Sequence, residues 1–292
     1  MSESVRSALA ALLKTSVVST PQSVHGGCIH ACYRCATEHG PVFVKVAPIQ
    51  VLDQFEAEAA GLEALATANA LRVPRVLAVG ESEGQALLVL EWLDLQRTTP
   101  ASDRALGEGL ARQHRLSKPL FGFKRHNHIG ATPQINYWSR SWLNFWREHR
   151  LEAQLNLAER KGAGEDFLER ASLLLAMLDQ FFATYAPTAS LLHGDLWSGN
   201  YAADAAGAPV IFDPAVYYGD RECDLAMTRL FGGFGREFYA AYENSWPLDP
   251  DWRERTELYN LYHVLNHYNL FGGGYLAQAD TMVARLLAEL GH

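Results

Sequence analysis

Two segments constrain this chain more than any other feature: Leu191-Leu192-His193-Gly194-Asp195-Leu196-Trp197-Ser198-Gly199-Asn200 and Val210-Ile211-Phe212-Asp213-Pro214-Ala215. Each begins as an apolar, strand-like run and breaks into polar residues, so each delivers a carboxylate where a strand gives way to a turn. Asp195 and Asn200 stand five residues apart and Asp213 lies thirteen beyond Asn200, so one loop and the following hairpin can aim three oxygen-bearing groups at one point. Mg²⁺ is a hard cation that takes oxygen ligands, and a reacting hydroxyl needs a carboxylate beside it. Asp-plus-Gly clusters after strands are also common as plain turns. The coincidence of His-Gly-Asp, the asparagine and the second aspartate points instead to phosphoryl transfer.

Around these segments the pattern divides the chain into two unlike parts. Residues 3–14 read as a helix, and 17–46 carries β-type runs broken by His25-Gly26-Gly27 and Glu38-His39-Gly40-Pro41, the mark of successive hairpins. Phe55, Ala59, Leu62, Leu65 and Ala66 recur at helical period between Asp53 and Ala68, which predicts a helix packed on that small antiparallel sheet. Pro74 ends the connection, and 76–79 and 86–90 read as two further strands around a polar turn. Glu91-Trp92-Leu93-Asp94 then leads into helices, the first starting near Ser102 with a cap and running through Leu106, Leu110 and His114. Helical period returns over 137–161, 167–185, 221–230, 234–244, 252–271 and 276–290, with the β pair that carries the two segments between them. The Gly/Pro-rich stretch 121–134 reads as a long loop of the kind that carries function. The expected fold is α+β: an antiparallel-sheet, nucleotide-binding lobe over 1–92 and a larger, mainly helical lobe with the catalytic and acceptor groups over 93–292.

At 292 residues, 48% hydrophobic and 20% charged, the chain is long enough for two such lobes. Its net charge of -8 argues against a general nucleic-acid or anionic-membrane binder, which would show a basic face. No apolar run approaches a membrane span, and Met1 to Lys14 mixes Glu3, Arg6 and Lys14 with a short Ala/Leu run, unlike a secretory signal, so the expected location is cytoplasmic. Cys28, Cys32, Cys35 and Cys223 are then expected as thiols. The first three fit alternating strand positions with no second paired cluster, and His263 and His267 lack the glutamate of a metalloprotease motif because Val264 follows His263, so zinc is not expected.

Phosphoryl transfer passes through a loose transition state, so the protein mainly positions groups and neutralises charge on the phosphate oxygens. Asp195 is the candidate general base, taking the acceptor hydroxyl's proton and orienting its oxygen. Asn200 and Asp213 are the candidate Mg²⁺ ligands. His193 reads as a hydrogen-bonding anchor of the loop, and Asp224 as a group at a helix start that caps backbone amides and braces the loop. Lys45, in the β-branched run Val42-Phe43-Val44-Lys45-Val46, would be costly among apolar neighbours without an anion. ATP phosphates would supply one, although a strand lysine taken alone usually lies on a solvated face. At about 100° per residue Glu58 lies within roughly 50° of the helix's apolar stripe, whereas Glu56 and Glu63 lie roughly 90 to 110° away, so Glu58 is the inward partner for Lys45. Gly26 and Gly27 would let backbone approach phosphates, although two glycines also simply make a hairpin. Glu91 and Leu93 are placed to offer a backbone carbonyl and amide to adenine.

Taken together, Lys45, Glu58, His193-Gly194-Asp195, Asn200 and Asp213 resemble the small-molecule branch of the protein-kinase-like superfamily, that of the aminoglycoside phosphotransferases. Within it, Gly26-Gly27-Cys28-Ile29, Phe55-Glu56-Ala57-Glu58-Ala59, Ile129-Gly130-Ala131-Thr132-Pro133-Gln134, His193 to Asn200, Asp213 to Asp224 and Leu270-Phe271-Gly272-Gly273-Gly274-Tyr275 resemble the fructosamine kinase (ketosamine-3-kinase) family over nearly the whole chain. The resemblance implies a two-lobe kinase-like fold and transfer of the γ-phosphate of ATP, with Mg²⁺, to the 3-hydroxyl of a fructosamine or ribulosamine. The resulting ester is unstable and frees the amine, which is deglycation. It implies a small ketosamine or a glycated amine or protein as partner, and neither nucleic acid nor membrane. Trp197 would offer a flat apolar face to the sugar, or else pack in the core; His267 and Asn136 are further acceptor-site candidates. Cys28 occupies the position of a glycine-loop cysteine, which implies a redox switch, including a disulfide joining two chains. His25 and His30 depart from the family's glycine and small polar residue. Two other readings stay open: a kinase of the same fold acting on an aminoglycoside, choline or an amine-free sugar, and a nonenzymatic nucleotide-binding redox sensor responding through Cys28.

Overall fold

The computed structural model describes residues 2–24 and 30–292. Its first part comprises α1 (Ser2–Leu13), β1 (Gln22–Ser23), β2 (Ala31–Thr37), β3 (Gly40–Pro48), α2 (Leu52–Thr67), β4 (Val76–Ser82) and β5 (Gln85–Glu91). The five strands form one antiparallel sheet in the order β1-β2-β3-β5-β4. Side chains alternate across a strand, and both faces here are covered. Val42, Val44, Val46, Leu87 and Val89 pack with Val5, Ala8 and Leu9 of α1 on one face. Ala47, Ala86, Leu88 and Leu90 pack with Phe55, Ala59 and Leu62 of α2 on the other. Period two puts Lys45 on this second face with Phe43 and Ala47, so its long side chain runs toward α2.

The helical part contains α3 (Pro100–His114), β6 (Ser117–Lys118), a hairpin of β7 (Asn127–Ile129) and β8 (Thr132–Gln134), α4 (Trp142–Trp146), α5 (Ala153–Arg160) and α6 (Glu165–Ala176). After β9 (Ala189–Leu192), β10 (Tyr201–Ala203), β11 (Pro209–Ile211) and β12 (Tyr217–Gly219) come α7 (Glu222–Leu230), α8 (Arg236–Ser245), α9 (Trp252–Phe271) and α10 (Tyr275–Glu289). This small sheet lobe and larger helical lobe make up the two-lobe α+β architecture expected. Two short antiparallel ladders decide the site: Leu192 pairs with Tyr217, and Tyr201 pairs with Ile211. The loops 193–200 and 212–216 both lie between these pairs, so they run side by side and their carboxylates cannot diverge. Among the described residues no helix is long and apolar enough to cross a membrane.

Several boundaries differ from the sequence expectation. The N-cap of α3 is Thr99, whose Oγ1 accepts from the Ser102 amide while Ser102 Oγ accepts from the Thr99 amide; Ser102 is the third helical residue of a reciprocal cap. Residues 137–141 are not helical, because Ser139 exchanges two backbone hydrogen bonds with Phe121 at 2.9 Å each and holds the segment extended. Helix α4 begins only after the Ser141 cap and joins α5 through a wider π-helical turn, Arg147–Glu152. The stretch 121–134, expected as a loop, contains the β7–β8 hairpin. Gly26, Gly27 and Cys28 lie outside the described residues.

Candidate active site

The loop after β9 is fixed by hydrogen bonds before any ligand is considered. Asp224, in the first turn of α7, accepts from the His193 amide at 2.7 Å and the Gly194 amide at 2.8 Å, and His114 Nε2 lies 3.0 Å from the same carboxylate. Burial pushes the Asp224 carboxyl up, but these bonds, His114 first, outweigh it and hold the group below the usual aspartate value. Gly194 has φ +84°, and a Cβ there would stand 2.1 Å from the Ala215 carbonyl oxygen, so only glycine lets the two loops touch. The Ala215 amide donates to the His193 carbonyl at 2.9 Å across the same contact. Burial lowers the His193 pKa and keeps the ring neutral: its Nε2 donates to the Phe212 carbonyl at 3.0 Å and its Nδ1 accepts from the Asp195 amide at 3.3 Å. Both ring nitrogens are thus used as struts, the anchoring role expected.

Asn200 stitches the two aspartates together. Its Nδ2 donates to the Asp195 carbonyl at 2.8 Å, to Asp195 Oδ2 at 3.3 Å and to the Asp213 carbonyl at 3.3 Å. All three partners are acceptors, which fixes the amide's orientation and turns its Oδ1 the other way. Burial and then the neighbouring Asp213 charge push the Asp195 carboxyl up to about 7, against the Asn200 bond. Asp213 sits at φ +55°, a left-handed conformation that an aspartate tolerates better than most residues.

Lys45 crosses from the sheet to this point. It is 4% exposed, and its Nζ lies 2.8 Å from Glu58 Oε1 and 2.7 Å from Asp213 Oδ1. Burial, then Asp213, push the Glu58 carboxyl up while Lys45 opposes. Glu56 and Glu63 do not enter: Glu56 turns outward to Arg125 at 3.6 Å.

Two adjoining cavities open over this set. The larger, about 490 Å³, is mostly apolar and lined by Phe43, Leu90, Trp92, Leu93, Trp197 and Phe212, with Asp213 at its inner end. The smaller and polar one, about 130 Å³, is lined by Lys45, Glu58, Asp195, Asn200 and Asp213, and also by His30 and His128. Glu91 lines the larger cavity, but its side chain is turned aside, accepting from the Arg75 amide at 2.7 Å and pairing with Arg72 at 2.9 Å. Its amide donates to the Arg75 carbonyl at 3.0 Å and is not available to a ligand. Leu93 takes part in no backbone hydrogen bond among the described residues. Trp197 lines both cavities with its ring laid across Gly199, where a Cβ would stand 2.2 Å from a ring carbon. It is therefore not packed in the core.

Two acceptor candidates fall elsewhere. Asn136 is a buried strut: Nδ2 donates to Asn127 Oδ1 at 2.7 Å and to the Arg125 carbonyl at 3.2 Å, and its Oδ1 accepts from Arg150 at 2.8 Å. It has no atom left for a sugar. His267 lies one layer out from the polar cavity, with its ring 4.7 Å from that of Phe231, which in turn is 6.3 Å from Trp197. The role of Gln134, within the motif Thr132-Pro133-Gln134, was not foreseen. Its Nε2 donates to the Ala215 carbonyl at 3.1 Å, its Oε1 accepts from Tyr262 at 2.7 Å, and Asn127 Nδ2 donates to the Val216 carbonyl at 2.8 Å. The β7–β8 hairpin thus clamps the segment that carries Asp213.

The comparisons with known proteins agree with this geometry. The model of the fructosamine kinase family matches residues 1–289. A probable ketoamine kinase of Synechocystis is 47% identical over 267 residues, 91% of this chain and 90% of that protein. A chloroplastic protein-ribulosamine 3-kinase of Oryza sativa subsp. indica is 38% identical over 280 residues, 95% of this chain and 81% of that protein. The crystal structure of a putative fructosamine-3-kinase from Haemophilus somnus superposes with a TM-score of 0.87 at 28% identity, covering 98% of this chain and 97% of that one. The chain belongs to the fructosamine kinase family.

Proposed function

We propose that this protein transfers the γ-phosphate of ATP to the 3-hydroxyl of a ketosamine, a fructosamine or ribulosamine, and so promotes deglycation. The observation that carries this reading is the convergence of one ammonium and two carboxylates: Lys45 lies 2.7 Å from Asp213, and Asn200 bridges Asp213 to Asp195. The residues fit a metal–nucleotide ligand. Glu58 holds Lys45 where phosphate oxygens would otherwise meet only carboxylates, and the Asn200 amide leaves its Oδ1 for a hard cation beside Asp213. Asn200 and Asp213 would hold Mg²⁺, which neutralises charge on the phosphates when bound. The apolar cavity suits adenine, with the Glu91 carbonyl and the Leu93 amide on its edge. On this reading residues 1–92 hold the nucleotide and 93–292 supply the acceptor groups.

Asp195 takes the proton from the acceptor hydroxyl. A carboxyl poised at about 7 is a stronger base than a solvated aspartate and is still ionised in half or more of the molecules above that pH. The His193, Gly194 and Asp224 bonds keep its backbone in place during the transfer, so orientation is set in advance. Trp197, between the two cavities, is positioned to lie against a sugar ring. Incubation with ATP, Mg²⁺ and a panel of fructoselysine, ribuloselysine, an aminoglycoside and choline tests the proposal. ADP release is expected with the two ketosamines, and turnover confined to the aminoglycoside or choline would overturn it.

A further inference from the structure

One residue on the wall of the polar cavity is not a strut. His128 is the middle residue of β7, between the buried Asn127 and Ile129, so the alternation of a strand turns its ring away from their packed face. The strand itself is fixed: Asn127 donates to the Val216 carbonyl at 2.8 Å and accepts from Gln134 Nε2 at 2.9 Å, and Arg125, two residues before β7, pairs with Asp53 of α2 at 2.7 Å. The hairpin is thereby tied to the small lobe as well as to the segment that carries Asp213. His30, just before β2 in the small lobe, lines the same cavity, close enough to Lys45, Asp213 and His128 for their charges to act on one another.

Most donors on the cavity wall are engaged. Asn127 Nδ2 is bonded to the Val216 carbonyl, Asn200 Nδ2 to Asp195 and the Asp213 carbonyl, and the His30 ring to the Gln54 side chain, while Lys45 is held between Glu58 and Asp213. His128 differs: among the described residues neither of its ring nitrogens has a hydrogen-bond partner, with Nδ1 enclosed and Nε2 reached by solvent. Burial disfavours the imidazolium, so the neutral ring carries one hydrogen. On Nδ1 that hydrogen would be buried with nothing to accept it, so it resides on Nε2, at the edge open to the cavity.

We propose that His128 donates through Nε2 to the γ-phosphoryl group of ATP, facing His30 of the small lobe, and so makes the site select the triphosphate over the diphosphate. This rests on the ATP reading above. A phosphoryl oxygen only accepts, and the cavity wall holds three carboxylates, Glu58, Asp195 and Asp213, against one ammonium, so a free neutral donor supplies what Lys45 alone does not. An acceptor hydroxyl entering here instead gives its hydrogen to Asp195. At about 130 Å³ beside a neighbour of about 490 Å³, the cavity suits the reacting end of the nucleotide and not its base. Lys45 comes from the small lobe and His128 from the large one, so the group they share is held from both sides.

The test is calorimetric titration of the full-length protein, with Mg²⁺ and no acceptor, by the non-hydrolysable imido analogue of ATP, by ADP and by adenosine. His128→Phe keeps a ring and removes the donor, whereas His128→Gln returns an amide N–H close to the position of Nε2. His128→Phe should weaken the analogue about 10-fold or more, the scale of one hydrogen bond to a charged group, with ADP and adenosine held within about 2-fold, and His128→Gln should recover most of the loss. Adenosine binding at wild-type affinity reports an intact fold in each variant. In the wild-type protein the ¹⁵N NMR signal of the His128 ring, identified by its absence from the Gln variant, should move with the analogue and stay in place with ADP. An unchanged affinity for the analogue in His128→Phe, an equal loss for ADP, or a wild-type signal that moves with fructoselysine but not with the analogue overturns the inference. Failure of the wild-type protein to bind either the analogue or ADP overturns the ATP reading itself.

Discussion

Replacing the proposed base, Asp195, should make the folded protein more stable, and the gain should depend on pH. In Asp195→Asn the strut geometry survives, because the amide oxygen still accepts from Asn200 Nδ2, which now reaches Asp195 Oδ2 at 3.3 Å. What disappears is a carboxylate that burial and Asp213 push from 3.8 to about 7. That displacement corresponds to at most about 4 kcal/mol of penalty on the ionised form, at about 1.4 kcal/mol per unit. The carboxyl is partly exposed at the cavity floor, and screening there reduces the figure to about 1–3 kcal/mol. The sign follows from the direction of the shift. A folded-state pKa above the unfolded one means that the native state keeps its proton longer, so the penalty is absent below about pH 4, grows through the window up to about pH 7, and is complete above it. Calorimetric scans without nucleotide should show Asp195→Asn melting about 2–6 °C above wild type at pH 8, with the gain shrinking steadily toward pH 4.5. An equal or lower melting temperature at pH 8, or a gain that does not change with pH, would refute the reasoning.

Four further outcomes are expected. For wild-type kcat, a log plot against pH should fall with unit slope below about pH 7, because Asp195 must be ionised to act; a flat profile down to pH 5.5 contradicts its role as base. Lys45→Met should weaken ATP binding in a direct titration by about 10-fold or more through loss of a charge-assisted contact, whereas adenosine binding should stay within about 2-fold. Gly194→Ala should lower the melting temperature through a loss of more than about 2 kcal/mol, since φ +84° and the Ala215 carbonyl both exclude a methyl group. Gln134→Leu should cost about 2–4 kcal/mol, leaving the Tyr262 hydroxyl and the Ala215 carbonyl buried without their partner, and should reduce kcat although Gln134 lines neither cavity.

The local chemistry of this site was readable because it is written in short spacings. Period two groups Lys45 with Phe43 and Ala47, the downstream motif marks that lysine as functional, and period 3.6 turns Glu58 rather than Glu56 or Glu63 toward the apolar side of its helix; the structure puts the pair 2.8 Å apart. The Asp195–Asn200 loop lies within one stretch, so its hydrogen bonds are local. What stayed hidden depends on partners distant in sequence. Nothing in Thr132-Pro133-Gln134 announces that Gln134 reaches the Ala215 carbonyl, 81 residues away. Asn136 resembled an acceptor-site amide, yet Arg150 and Asn127 use its polar atoms, a buried network with no periodic signal. Residues 137–141 carry helical period, but two bonds to Phe121 override it.

The position of the transferred phosphate identifies the reaction. ³¹P and ¹H NMR of the products of full-length enzyme, ATP, Mg²⁺ and fructoselysine should show one new phosphate monoester coupled to the proton on sugar C3, formed with ADP and followed by release of free lysine. A monoester on any other oxygen, or ADP formation with no sugar phosphate, would contradict the assignment of Asp195 and the cleft to this reaction.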